Sequence, residues 1–261
     1  KGNGDNMRYG LIGEKLGHSY SKIIHERITN ETYNLIPLSR DEFDEFMKKK
    51  DFAGINVTIP YKQKVIAYLD ELDPLAERIG AVNTVVNKGG RLIGYNTDFY
   101  GLKYLFSRNN IKAEHKKCLI LGNGGTSRTA RAVLETLGAK EIITVSRNPE
   151  GHTISYEECR QNHRDADIIV NTTPVGMYPN IDASPLDLTP FKSCTAVVDV
   201  IFNPIKTMLA KQAESLGIRA VTGLAMLVAQ AKQAQEYFRE IKLDDSIIET
   251  ITQELLERLL L

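Results

Sequence analysis

The feature that most limits what this chain can become is Leu119-Ile120-Leu121-Gly122-Asn123-Gly124-Gly125-Thr126-Ser127-Arg128. An apolar run ends in Gly-x-Gly-Gly and a helical pattern begins, the context a dinucleotide fold requires. Glycines there let the backbone approach a pyrophosphate, and a helix N-terminus offers unpaired N–H groups to its charge. The competing reading is a glycine turn in an ordinary βα unit. The surroundings favour the first. Residues 117–121, 141–145, 167–171, 196–201 and 219–221 read as strands. Helices are predicted through about 137, near 156–164 and over about 207–216. Such alternation with β-branched strands predicts a parallel sheet covered on both faces.

The end of the second of these strands bears on the cofactor. An NAD site places Asp or Glu there, roughly 20 residues beyond the glycines, to hold the ribose hydroxyls. Here the segment is Ser146-Arg147-Asn148. A guanidinium in place of a carboxylate suits a 2′-phosphate by charge and fork geometry, which points to NADP. The plain alternative is a solvated arginine at a strand end.

The preceding hundred residues also alternate. Strands are predicted at 8–12, 54–59, 81–87 and 91–95, the last two joined by the hairpin signal Lys88-Gly89-Gly90. Helices are predicted at 21–28, 41–49 and 99–107, with Pro60 suited to the first turn of another. Beyond Gly223 the pattern is helical, over 224–238 and 245–261. The fold class is therefore α/β, and the length suits two domains. The proline-bearing stretch 172–189 is long for a structureless loop, and is expected to border a ligand site.

Charge and cysteine content narrow the partners. Lys+Arg and Asp+Glu both number 33, which argues against nucleic acid as the main partner but leaves room for one local cationic site. Cys118, Cys159 and Cys194 are far apart and lack metal or disulfide spacing, so buried inert thiols in a reducing compartment are expected. The five histidines show no metal-ligand spacing, and His18 and His25 read as structural. No apolar run approaches the ~20 residues of a membrane span. The chain reads as cytoplasmic and soluble. The polar stretch 1–6 before Met7 is set aside as a remnant or a shifted start.

If the glycine-rich part holds a nicotinamide, another side chain must move the proton of a ketone/alcohol couple. Lys62, after Asn56-Val57-Thr58-Ile59-Pro60, and Asp98, after Gly94-Tyr95-Asn96-Thr97, each follow a strand closely enough to reach a cleft. Read singly, they are a surface lysine and a helix-capping aspartate. In Gly17-His18-Ser19-Tyr20-Ser21, the paired hydroxyls beside a helix start suit a small carboxylate. The reading of Ser21 as a plain N-cap stands equally.

Together these segments resemble the shikimate dehydrogenase family from Met7 onward. The resemblance rests on the serine-pair segment, on Gly54 to Lys62, on Gly80-Ala81-Val82-Asn83-Thr84 and on Gly94 to Asp98. It is completed by Asn171-Thr172-Thr173-Pro174-Val175-Gly176-Met177 and by Gly223-Leu224-Ala225-Met226-Leu227-Val228-Ala229-Gln230-Ala231. It implies reversible NADPH-dependent reduction of 3-dehydroshikimate to shikimate in aromatic amino-acid biosynthesis. Lys62 would shuttle the proton and Asp98 would orient it. Ser19 and Ser21 would take the carboxylate, with Thr58, Asn83, Asp98 and Gln230 on the ring hydroxyls. Gly122, Asn123, Gly124, Gly125, Thr126, Ser146, Arg147, Val200 and Gly223 would line NADP.

The same resemblance implies a discontinuous substrate-binding domain, 7–101 with 225–261, around a Rossmann-like NADP-binding domain, 102–224. Several positions depart from the family pattern. Lys22 and Glu26 stand for its proline and asparagine. Phe202 stands for a tyrosine near the substrate, and the second basic residue expected after Arg147 is absent. An NAD-tolerant quinate/shikimate dehydrogenase and a non-catalytic shikimate sensor remain the alternatives. The expected assembly is a monomer or homodimer.

Overall fold

A computed structural model describes residues 9–17 and 19–260; the polar start and His18 lie outside the described residues. In chain order the elements are β1 (Tyr9–Gly13), α1 (Ser21–Thr29), β2 (Asn34–Pro37), α2 (Arg40–Lys49), β3 (Gly54–Val57), β4 (Glu71–Leu72), α3 (Pro74–Ile79), β5 (Thr84–Lys88), β6 (Arg91–Tyr95) and α4 (Thr97–Arg108). Then come β7 (Lys117–Leu121), α5 (Gly125–Thr136), β8 (Glu141–Val145), β9 (Thr153–Ile154), α6 (Tyr156–Asn162), β10 (Ile168–Asn171), β11 (Ala196–Asp199), α7 (Met208–Ser215), β12 (Arg219–Thr222), α8 (Leu224–Arg239) and α9 (Ser246–Leu260). The chain forms two compact units. The first takes the residues up to Tyr100 with Val228–Ile251, and the second takes Gly101–Leu227 with the residues from Thr252 on. The sequence-based division assigns all of 225–261 to the first part, whereas the structure groups the end of α9 with the second.

The first unit is a mixed sheet in the order β2-β1-β3-β5-β6-β4. β1 runs parallel to β2 and β3, and the β5–β6 hairpin joins antiparallel to β3. Gly89 and Gly90 both have positive φ, which the tight hairpin turn demands. The pleat sorts neighbouring residues to opposite faces. Ile12 and Val85 join Phe43 and Met47 of α2, while Leu11 and Val86 join Ala234 and Phe238 of α8. Gly54 admits this helix: a Cβ there would lie 2.3 Å from the Phe238 ring.

The second unit is a six-stranded sheet, parallel throughout, in the order β12-β11-β10-β7-β8-β9. The chain enters at β7, builds outward through β8 and β9, then returns to β10 beside β7. This is the doubly wound order, whose direction reverses between β7 and β10. Leu119, Leu121, Ile169 and Val197 of the strands bury against Leu209 and Phe191.

Some expectations need correction. The strand predicted over 54–59 stops at Val57, and Pro60 opens no α-helix; a short 3-10 turn spans Lys64–Tyr68 instead. β2, β4, β9 and α3 are additional. Two of these strands have two residues each, too few to show any period. The stretch 172–189 contains turns only and exposes Met177, Tyr178 and Ile181. All three cysteines are buried free thiols, and burial raises Cys118 to about 12 and Cys159 and Cys194 to about 11. Among the described residues no helix is long and apolar enough to cross a membrane, and no His/Cys/Asp/Glu group could hold a metal.

Candidate functional site

In the first unit the two residues singled out for proton transfer meet. Lys62 follows β3 by a short turn, and Val82 N–H donates to its carbonyl (2.8 Å). Its ammonium donates to Asp98 Oδ2, with both side chains largely shielded from solvent. Asp98 is the second residue of α4, inside the first turn, so it is not the helix cap. Its other oxygen accepts from Asn83 Nδ2 at 3.0 Å. With a cation on one oxygen and an amide on the other, the carboxylate is an acceptor on both sides and aims Lys62.

Asn83 is itself held firmly. Its Oδ1 accepts the backbone N–H of Thr97 (2.7 Å), a group that can only donate, so its amide nitrogen must face Asp98. The same nitrogen donates to Thr97 Oγ1 (3.0 Å), and that hydroxyl donates to Gln230 Oε1 (3.3 Å). Of three expected substrate ligands, Asn83 and Gln230 thus meet at Thr97 while Asp98 meets Asn83, all of them buried. Thr97 is fully buried and is missed by the sequence reading; its position directly before Asp98 is the available signal. Thr58 is half-buried after β3, its N–H on the Ile12 carbonyl (3.0 Å). Its methyl lies so near Gly13 that a Cβ on Gly13 would come within 2.5 Å.

The serine pair has a different arrangement from a plain cap. Tyr20 is the N-cap of α1 and caps with no side-chain bond, while Ser21 is the first helical residue. Ser19 Oγ accepts the Ser21 N–H at 3.3 Å. The Ser19 hydroxyl is therefore held at the start of α1, where the positive end of the helix dipole favours a carboxylate.

The second unit presents main chain rather than side chains. Gly122 has φ +108°, and a Cβ would lie 2.8 Å from Thr172 Oγ1, so glycine is required both conformationally and sterically. Gly124, the N-cap of α5, has open space where a side chain would be and supplies no side-chain cap. Asn123 is exposed, and Gly125 and Thr126 are half-buried on the first turn. The N–H groups of that turn are thus available to a phosphate at the switch point of the sheet. Beyond β8, Ser146 Oγ accepts from Asn148 N–H (3.2 Å) and shapes a turn that leaves Arg147 exposed. The Arg147 cation lies near enough to Tyr156 to oppose the burial that raises that phenol. These residues fit a phosphorylated dinucleotide.

The adjoining loops are latched by a pair absent from the sequence reading. Asn171 and Asp199 end β10 and β11 in register, and Asn171 Nδ2 donates to Asp199 Oδ1 (3.0 Å). Thr207 donates to Asp199 Oδ2 (2.7 Å) and Ile201 N–H to Oδ1 (3.1 Å). Burial raises Asp199 to about 6, against these three donors. Val200 and half-buried Phe202 ride on the segment so held, and both belong to the second unit. Gly223 sits where a Cβ would meet the Val200 carbonyl at 2.1 Å.

Comparison with known proteins agrees in extent with this architecture. A family model described as the shikimate dehydrogenase substrate binding domain matches residues 11–85. The shikimate dehydrogenase (NADP(+)) of Clostridium perfringens strain SM101 is 38% identical over 265 residues, covering 95% of this chain and 97% of that protein. The enzyme of the same name from Clostridium beijerinckii is 36% identical, covering 92% and 94%. Among solved structures, a chorismate mutase/shikimate 5-dehydrogenase fusion protein from Clostridium acetobutylicum superposes with a TM-score of 0.90 at 37% identity, covering 97% of this chain and 98% of that one. Shikimate 5-dehydrogenase from Thermus thermophilus, in complex with NADP(H) and shikimate, gives 0.84 at 29% identity, covering 95% and 99%.

Proposed function

The chain belongs to the shikimate dehydrogenase family, and from that premise we propose that it interconverts 3-dehydroshikimate and shikimate with NADP(H) in the shikimate pathway. The observation that carries the proposal is the Lys62–Asp98 pair, with Asn83 on the second carboxylate oxygen. The Gly122–Thr126 turn, Ser146, Arg147, Val200 and Gly223 would hold NADP(H), which would supply or accept the hydride when bound. In reduction the Lys62 ammonium gives a proton to the developing alkoxide, and in oxidation its amine takes that proton back. Asp98 holds Lys62 in line throughout. Asn83, Thr58 and Gln230 read the ring hydroxyls, and Ser19 and Ser21 take the carboxylate. A site built from hydrogen-bonding groups rejects analogues that lack a hydroxyl, because its buried polar atoms would lose their partners.

In this reading the first unit is the substrate-binding and catalytic domain and the second is the NADP-binding domain. Phe202 offers the substrate an aromatic edge without a hydroxyl. In the same reading the reaction is a cytoplasmic one. Steady-state oxidation of shikimate and of quinate, each with NADP⁺ and NAD⁺, tests the assignment. The expected result is the highest kcat/KM for shikimate with NADP⁺. A preference for NAD⁺ would overturn the role of Arg147, and binding of shikimate without any turnover would make the protein a sensor.

A further inference from the structure

We propose that Tyr33, Asn56 and Thr84 form a one-directional hydrogen-bond relay that fixes the amide of Asn83, and through it Asp98, making the three of them positioning residues for the Lys62 site. The inference rests on the activity proposed above. The relay lies wholly within the first unit and every member is buried.

Its direction follows from groups that can play only one part. Asn56 Nδ2 lies 3.2 Å from the Asn83 carbonyl, a pure acceptor, so the Asn56 amide nitrogen is fixed on that side. Asn56 Oδ1 must then be the acceptor for the Tyr33 hydroxyl, at 2.7 Å. The same Nδ2 donates to Thr84 Oγ1 at 2.9 Å, across the β3–β5 pair in which Asn56 and Thr84 are direct neighbours. Having accepted that hydrogen bond, the Thr84 hydroxyl donates its own onward. The acceptors in reach are Asn83 Oδ1 and Thr97 Oγ1, both at 3.1 Å. Either choice ends on the hub that turns Asn83 Nδ2 toward Asp98 and Gln230 Oε1 toward Thr97. In a buried chain of this kind each donor polarises the next.

The origin of the relay is also fixed. The Tyr33 ring stacks parallel on His25, with centroids 4.0 Å apart. Arg239 donates to Gln235 Oε1, so Gln235 Nε2 faces His25 Nδ1 at 2.7 Å, and the imidazole proton resides on Nε2. Burial drives His25 down to about 3 and Tyr33 well above 10, so one stays neutral and the other remains a phenol that donates. The main chain of Tyr33 is gripped at both polar groups. Lys22 Nζ donates to its carbonyl (2.8 Å), and Glu26 Oε1 accepts its N–H (3.0 Å) while pairing with Lys22. These two residues are among the departures from the family pattern noted in the sequence, and here they anchor the first donor of the relay.

The test compares Thr84→Val, Thr84→Ser, Tyr33→Phe and the Tyr33→Phe/Thr84→Val double variant. For each, kcat and KM for shikimate are measured with saturating NADP⁺, alongside calorimetric binding of shikimate and of NADP⁺. Thr84→Val and Tyr33→Phe should each lower kcat/KM for shikimate about tenfold, the scale of one hydrogen bond serving a charged group, with NADP⁺ affinity unchanged. Thr84→Ser keeps the hydroxyl and should restore wild-type kinetics. The double variant should be no worse than the weaker single one, because links of one chain are not additive. Wild-type kinetics in both Thr84→Val and Tyr33→Phe, failure of Thr84→Ser to restore them, or multiplicative losses in the double variant would each overturn the relay. In those cases wild-type turnover stands and so does the activity. A wild-type protein that neither turns over nor binds shikimate would overturn both.

Discussion

Around Lys62, the groups proposed to meet substrate are mostly side chains, and most are aimed by another buried side chain: Asp98 by Asn83, Asn83 by Thr97, Gln230 by Thr97. Around Gly122 the surface on offer is main chain, shaped by residues that lack a side chain, with Arg147 as an exposed cation in the turn after β8. The first arrangement suits recognition of hydroxyls and carboxylates one at a time. The second suits a phosphate, by charge and close approach. They should therefore fail differently. The side-chain site should suffer from losing single polar atoms, and the main-chain site from gaining a single carbon.

The sharpest break of that contrast is Lys62→Ala. Loss of a general acid–base group costs ~10²–10⁴ in rate, so kcat for shikimate oxidation should fall about a thousandfold while calorimetric NADP⁺ affinity is kept. Near-normal turnover would remove Lys62 from proton transfer.

Acidity separates the two units in the opposite sense. His25 in the first is lowered from 6.5 to about 3 by burial and by the Arg239 cation. Unfolded chains take up that proton below about 6.5, so this contribution is full above 6.5 and is lost as pH falls toward 3. Asp199 in the second is raised from 3.8 to about 6. Its contribution is full below 3.8 and is lost as pH rises through 6, on the order of 3 kcal/mol. Urea unfolding between these limits should show Asp199→Asn removing the loss on the alkaline side and leaving the acid side in place. An unchanged profile in Asp199→Asn would show that the group titrates normally.

Smaller effects belong to the main-chain site. Gly122→Ala adds a carbon where φ is +108° and Thr172 is 2.8 Å away, a strain of roughly 1–3 kcal/mol. KM for NADP⁺ should rise about tenfold or more, with shikimate binding by calorimetry untouched. Equal losses for both ligands would blur the distinction between the sites. Arg147→Gln should cost NADP⁺ about 1.5 kcal/mol and NAD⁺ nothing, the value of a charge-assisted bond to the 2′-phosphate. The ratio of kcat/KM for the two cofactors reads it directly.

The main-chain site is the more legible of the two in sequence, for the same physical reason. Gly122 announces a conformation by its identity, Gly124 leaves the approach to the helix start open, and the β7–α5 turn is local. Lys62 and Asp98 are legible as polar residues following strands, and the resemblance adds Asn83 and Gln230. What joins them is not local. Asn56 meets Thr84 through cross-strand register, and Thr97 meets Gln230 across 133 positions of sequence. Neither spacing leaves a periodic trace. Pro60 misleads because its fixed φ suits a helix start as well as a turn. Asp199 hides in an apolar strand, where its partner Asn171 is visible only once β10 and β11 are paired.

One consequence concerns the order in which the molecule can be made. The sheet of the first unit is encoded before residue 100, yet Phe238, which fills the space over Gly54, and Gln230, which accepts from Thr97, are translated after every strand of the second unit. Domains fold as units while the chain emerges from the ribosome. The nucleotide-binding sheet is thus complete at a stage when the older half of the nascent chain still lacks one covering helix. A chain released early, after β12, would carry an intact dinucleotide sheet and a substrate half with the Tyr9, Leu11, Tyr33 and Val86 face bare. Helix α8 thus covers the first sheet only after the second sheet has been made.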